Sequence, residues 1–237
     1  MPQAGSTVVG STVVGIDVGG ARKGFHAVAL CEGTVVGRLA STDETAVAAW
    51  CRQLGAALVA VDAPCRWRQG CGARPAEREL IGAGISCFLS PTREQALAST
   101  SGFYGWMLRG EALYGALDIH GYPLAEAAHD LPRRPCCFET FPHAITVQLH
   151  RALALEPALA ARKRPQRRAL LERLGVEGRE LTSIDWLDAA LCGLAAQLLR
   201  SGVECRVYGQ AASGLVLVPA GPWVTALTSA HTDPNRR

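Results

Sequence analysis

The sequence predicts an α/β fold: a mixed sheet of three antiparallel strands followed by parallel strands, flanked by helices and carrying a helical insertion. Three observations predict it. Two β-branched or apolar runs near the start, Phe25 to Cys31 and Thr34 to Leu39, are separated only by Glu32-Gly33, a hairpin-length turn. The run Ala57 to Val61 is apolar at every position, as expected of a strand buried on both faces. Long stretches with helical periodicity then alternate with short apolar runs, the pattern of helix crossovers between strands.

The bulk numbers bound the rest. With 237 residues and 49% apolar composition, the chain can bury a sizeable core and falls outside the disordered class. A net charge of +3 makes no global electrostatic case for nucleic acid, so any such case rests on local patches. No apolar run approaches the ~20 residues needed to cross a bilayer. No signal peptide is apparent, and a cytoplasmic location is the expectation. The nine cysteines read mostly as core and loop thiols. Cys65 and Cys71, with Cys87, are the zinc alternative, but no paired C-x-x-C knuckle supports it.

In chain order, Ser6 to Gly10 (STVVG) is echoed at once by Ser11 to Gly15. Residues 1–12 are read as an extension, residues 13–219 as one domain and residues 220–237 as a loose tail. Val13 to Ile16 is the first strand, Asp17 sits at its end, and Gly19-Gly20 permits a tight turn or the close approach of a ligand. After the hairpin, Asp43 to Leu54 is a helix with Val47, Trp50, Cys51 and Leu54 on one stripe; Ser41 or Thr42 is its expected cap and Gly55 ends it. Asp62 closes the next strand, stopped by Pro64. Residues 65–135 form the insertion, with helices expected over Ala76 to Ile81 and, interrupted at Gly102 and Gly105, over Arg93 to Leu117. Cys136 to Pro142 is a strand with Glu139 near its end, and His143 begins a helix. A helix to about Leu174 follows the basic run Arg162 to Arg168. Ser183 caps a last strong helix, Ile184 to Arg200, and strands Glu204 to Tyr208 and Leu215 to Val218 finish the fold.

Acids at strand ends are where a cleft can use them. Asp17, Asp62 and Glu139 lie there, and Asp185 and Asp188 lie three apart on one face at the start of the last helix. Two-metal phosphoryl transfer requires such a set, because hard Mg²⁺ or Mn²⁺ ions ~3.5–4 Å apart are held by a few carboxylates and waters. Each acid has a plainer role as well. Asp17 or Asp62 can cap a turn, Asp185 suits a helix dipole, and Glu139 between Phe138 and Phe141 can be a buried acid paired with an arginine. Asp188, beyond the first turn and beside the apolar stripe, has no such ready explanation.

The order of these elements resembles the ribonuclease-H-like fold. Asp185-Trp186-Leu187-Asp188-Ala189 resembles the paired aspartates on the final helix of Holliday-junction resolvases in that superfamily. More closely, the chain resembles the family called domain of unknown function 429, through Gly15-Ile16-Asp17 with Gly24-Phe25, Val61-Asp62-Ala63-Pro64 and Arg74 with Glu77 and Arg78. Glu139-Thr140-Phe141-Pro142-His143, Asp185 to Ala189 and Gly214 to Pro219 complete the ordered set. The resemblance implies a divalent-metal-dependent nuclease. In it, Asp17, Asp62 and Asp188 are the metal ligands, Glu139 and Asp185 are auxiliary catalytic acids, and Mg²⁺ or Mn²⁺ is the cofactor.

Nucleic acid is the expected partner. Arg22, Lys23, Arg66, Arg68, Arg74, Arg78, Arg164 and Arg167 are the candidate phosphate contacts, although the Arg162 to Arg168 run reads equally well as a solvated face. His143 either positions a water or phosphate or packs locally. Two other functions stay open. Asp17-Val18-Gly19-Gly20 also suits an actin-like or sugar-kinase-like ATPase that cradles a nucleotide phosphate, and a non-catalytic binding module can keep the fold while reusing its acids.

Overall fold

The computed structural model describes residues 12–131 and 133–221. The expected extension and tail therefore lie almost wholly outside the described residues, as does the first STVVG copy. Strands β1 (Thr12–Val18), β2 (Phe25–Cys31) and β3 (Thr34–Ser41) form an antiparallel meander. Glu32 and Gly33 both have positive φ, 48° and 82°, as a type I′ hairpin requires. Helix α1 (Glu44–Gln53) leads to β4 (Leu58–Asp62), and β5 (Cys136–Glu139) follows the insertion. The last strands are β6 (Cys205–Gln210) and β7 (Gly214–Pro219). All seven make one sheet in the order β3-β2-β1-β4-β5-β7-β6, with β1, β4, β5 and β7 parallel and β6 antiparallel to β7. Three antiparallel strands followed by parallel ones, flanked by helices, is the predicted architecture, and it fits a ribonuclease-H-like arrangement.

The insertion holds α2 (Pro75–Gly82), α3 (Arg93–Ala98) and α4 (Gly105–Ile119); α5 (Pro142–Ala152), α6 (Lys163–Arg173) and α7 (Ile184–Arg200) come later. The expected break near Gly102 and Gly105 separates α3 from α4. Asp43, rather than Ser41 or Thr42, caps α1: its Oδ1 accepts the N–H groups of Thr45 and Ala46, while Ser41 Oγ accepts the N–H of Asp43. A carboxylate at this position also complements the helix dipole.

Strand alternation sends side chains into two cores. Val14, Ile16, Val59 and Val61 pack with α1 and α4. Val13, Leu58, Ala60 and Phe138 pack in the core shared with α5, α6 and α7. Helix α7 lies directly across β1, and Gly15 is the reason. A Cβ at Gly15 would overlap the Gly193 nitrogen and the Ala189 carbonyl oxygen and would sit 2.7 Å from the Cys192 carbonyl carbon. Only backbone fits between the strand and the helix at this crossing. Asp17, two residues beyond Gly15, emerges on the same face and therefore toward α7.

Candidate metal centre

The sheet register brings the first two acids together. Asp17 pairs with Asp62 across the parallel β1–β4 ladder, so both side chains leave the same face at neighbouring strand ends. Asp188 comes from above. Ser183 caps α7 by accepting the N–H of Trp186, and the Gly15 crossing seats the first turns of the helix over the ends of β1 and β4. One carboxylate oxygen from each of Asp17, Asp62 and Asp188 lies within 4.8 Å of the others. Cys192, one turn after Asp188, forms part of the buried floor beneath them.

Three carboxylates this close cannot all keep their charge without a cation. Burial, then Asp188 and Asp185, push the Asp17 carboxyl up to about 8, against the opposing pull of Lys23 and Arg167. Asp62 is driven well above the usual carboxylate range by burial and by Asp17 and Asp188. Asp188 is raised by burial, although Arg167 pulls the other way. Oxygen donors only, arranged as a compact trio and short of positive charge, are the donor chemistry of Mg²⁺ or Mn²⁺.

The remaining sequence candidates separate into different places. Asp185 stands at the rim of the cluster, close enough to raise Asp17, and accepts from Lys23 Nζ at 2.9 and 3.2 Å. Glu139 does not join the cluster. It pairs in register with Val61 rather than Asp62, so its side chain leaves the opposite face of the sheet. There it accepts from Arg74 Nη1 and Nη2 at 3.0 and 2.5 Å and from the Cys65 N–H at 2.8 Å. The buried-acid role is the one it takes, and it ties down the turn that follows Asp62.

Two of the proposed phosphate contacts need correction. Arg74 is only 3% exposed, and Glu77 and Glu139 take up its guanidinium, so it has no face left for a phosphate. Burial opposes its charge, but these carboxylates outweigh burial and keep it protonated. Arg167 is likewise buried and forms an ion pair with Asp188. It neutralises part of the acidic cluster instead of reaching into solvent. The sequence did carry a signal for this: Arg167, Leu170 and Leu171 stand at i, i+3 and i+4, so the arginine shares the apolar face of α6. His143 lies near Arg167, and burial together with that charge lowers its pKa.

Arg22, Arg66, Arg78 and Arg164 remain exposed, Lys23 is exposed beside Asp185, and Arg68 is partly exposed. The Gly19 N–H is spent on the Gly24 carbonyl at 2.8 Å, so that amide is not available to cradle a nucleotide phosphate. The zinc alternative has no matching geometry: among the described residues Cys71 is exposed, Cys65 is buried beside Glu139, and the Cys87 thiol lies 3.7 Å from the Glu77 carbonyl. No helix among the described residues is long and apolar enough to cross a membrane.

No curated protein and no solved structure matches this chain. One family model does match, over residues 15–212, a span that begins two residues before Asp17 and takes in Asp62 and Asp188. The chain belongs to the family described as protein of unknown function DUF429.

Proposed function

We propose that the chain is a divalent-metal-dependent phosphodiester hydrolase of the ribonuclease-H-like superfamily, acting on nucleic acid. The observation that carries this reading is the convergence of Asp17, Asp62 and Asp188, from β1, β4 and α7, with their oxygens within 4.8 Å. Structural acids seldom gather without a partner cation, and one buried arginine does not balance three carboxylates. A bound Mg²⁺ or Mn²⁺ would lower the pKa of water and stabilise the charge that develops on the phosphoryl oxygens.

The residues of the chain supply the rest. Asp17 and Asp62 are fixed by adjacent strands, whose rigid ladder holds ligand geometry better than a loop would. Arg167 orients Asp188 and limits the repulsion within the trio. Lys23, held by Asp185 at the rim, places a positive charge where a phosphate diester enters. Glu139 acts indirectly, by bonding the backbone of the turn after Asp62.

The test is cleavage of single-stranded and duplex DNA and RNA by the purified protein with Mn²⁺ or with excess chelator. Metal-dependent cleavage that disappears in Asp17→Asn and Asp62→Asn is the expected result. Cleavage that persists in chelator, or in both variants, refutes the assignment.

A further inference from the structure

Beside the carboxylate trio the insertion carries an aromatic cluster with no part in the chemistry described so far. Phe88, in the loop after α2, has its ring 5.6 Å from Phe103, 6.1 Å from Tyr104 and 5.9 Å from Trp106, centroid to centroid. Such spacings are ordinary for packed rings in a core. Trp106 is partly buried against the core and Tyr104 is partly buried, but Phe88 is 40% and Phe103 58% exposed. Two exposed phenylalanine rings packed on each other at the surface are apolar area for which folding alone gives no reason. The cluster reaches the trio at one residue, Asp62: at the ends of β4 and β5, Phe88, Trp106 and Phe141 line one cavity with Asp62 and with the paired Arg74, Glu77 and Glu139.

We infer that this cluster is a stacking platform for an unpaired nucleobase, whose own phosphodiester then lies at the carboxylate trio. A flat apolar surface and a cation-holding carboxylate on one cavity describe a ligand with an aromatic ring joined to a phosphate, which is a nucleotide. Bases within a duplex have both faces covered by their neighbours, so the platform takes single-stranded or extruded nucleotides. Charge agrees with this occupant. Arg68 donates to the Ser90 and Gly70 carbonyls and to Gln95 Oε1, none of them charged, and so brings a positive charge to the loop that carries Phe88.

The inference rests on the hydrolase reading only for where the phosphate goes; the stacking is tested separately. Fluorescence anisotropy, with Ca²⁺ present, compares a short homothymidine strand with an abasic strand of the same length, which has the phosphates but no bases. The wild type should bind the thymidine strand about tenfold or more tightly, the scale of one or two stacked bases. Phe88→Ala with Phe103→Ala, and Phe88→Leu with Phe103→Leu, should both reduce the thymidine affinity to the abasic level. Because Phe103 is so exposed, Phe103→Leu alone keeps the comparison available if a double variant does not fold. Equal binding of the two strands by the wild type overturns the inference, as does no binding of either. So does a preference that the leucine variants retain, since that would mark a merely apolar cover, the signature of a protein partner. A base preference without metal-dependent cleavage sinks the hydrolase reading alone, and cleavage without a base preference sinks the platform alone.

Discussion

Asp17 is built to resist ionisation. Burial and two neighbouring acids push its carboxyl up to about 8, far above its value in an unfolded chain. The consequence for pH has a definite sign. Between the unfolded and folded values the folded state binds the extra proton, so metal-free stability falls as pH rises from about 4 toward 8 and then levels. Asp62 and Asp188 are shifted the same way. Asp17→Asn should flatten that slope and leave metal-free stability at pH 8 unchanged or higher, whereas the typical substitution costs about 1 kcal/mol. Urea titrations at pH 5 and pH 8 in chelator measure it, and a wild type that gains stability over this range contradicts the assignment. Arg167 gives the complementary expectation. Arg167→Met strips Asp188 of its buried counter-ion and should cost about 3–5 kcal/mol, while Arg164→Ala, three residues away and exposed, should stay within about 0.5 kcal/mol. In a run of five cations the composition reads alike for both positions, and only the face of α6 that docks on α7 separates them.

At the level of elements, most of the fold was legible because its boundaries have local causes. β-branched runs stopped by proline or glycine marked the strands, and α7 was read with its observed bounds because Ser183 and the stripe through Leu187, Leu191 and Leu198 are local signals. What was not legible depends on partners. Glu139 and Asp62 both end apolar strands, yet a register in which Glu139 meets Val61 sends the two carboxylates to opposite faces. No pattern within either strand encodes that pairing. The Gly15 crossing was hidden for the same reason, since nothing near Gly15 announces Gly193. Its importance is testable. Gly15→Ala should force α7 off β1, with a stability cost of about 1–3 kcal/mol or more, and carry Asp188 away from Asp17 and Asp62. The thermal shift produced by Mn²⁺ should then shrink by much more than it does in Gly20→Ala, where an added Cβ meets nothing within 4 Å. Equal Mn²⁺ shifts in the two variants would mean that the crossing does not set the site.

For the molecule as a whole, the three carboxylates of the trio lie near the start, in the first third and in the last quarter of the chain, on elements that meet only when the sheet and α7 have assembled. An unfolded chain cannot hold them together without a large loop-closure cost, so a cation that binds the trio binds the native state almost alone. Metal binding is therefore a direct readout of the fold, independent of any substrate. Mn²⁺ should stabilise the wild type by about 2.7 kcal/mol when free metal is a hundredfold above its dissociation constant. Because binding displaces the proton that Asp17 otherwise retains below about 8, the gain should grow as pH rises from 6 to 8. Asp17→Asn should lose most of the gain at either pH, and Glu139→Gln should keep it, since Glu139 lies on the other face with Arg74. Melting curves of the three proteins, with chelator and with millimolar Mn²⁺ at both pH values, separate the possibilities. If Glu139→Gln abolishes the Mn²⁺ shift while Asp17→Asn preserves it, the cation sits in the Arg74 network and the trio is only a turn and helix-end cluster. If Mn²⁺ shifts no variant and not the wild type, the three carboxylates are held together by protons and Arg167, and the metal centre does not exist.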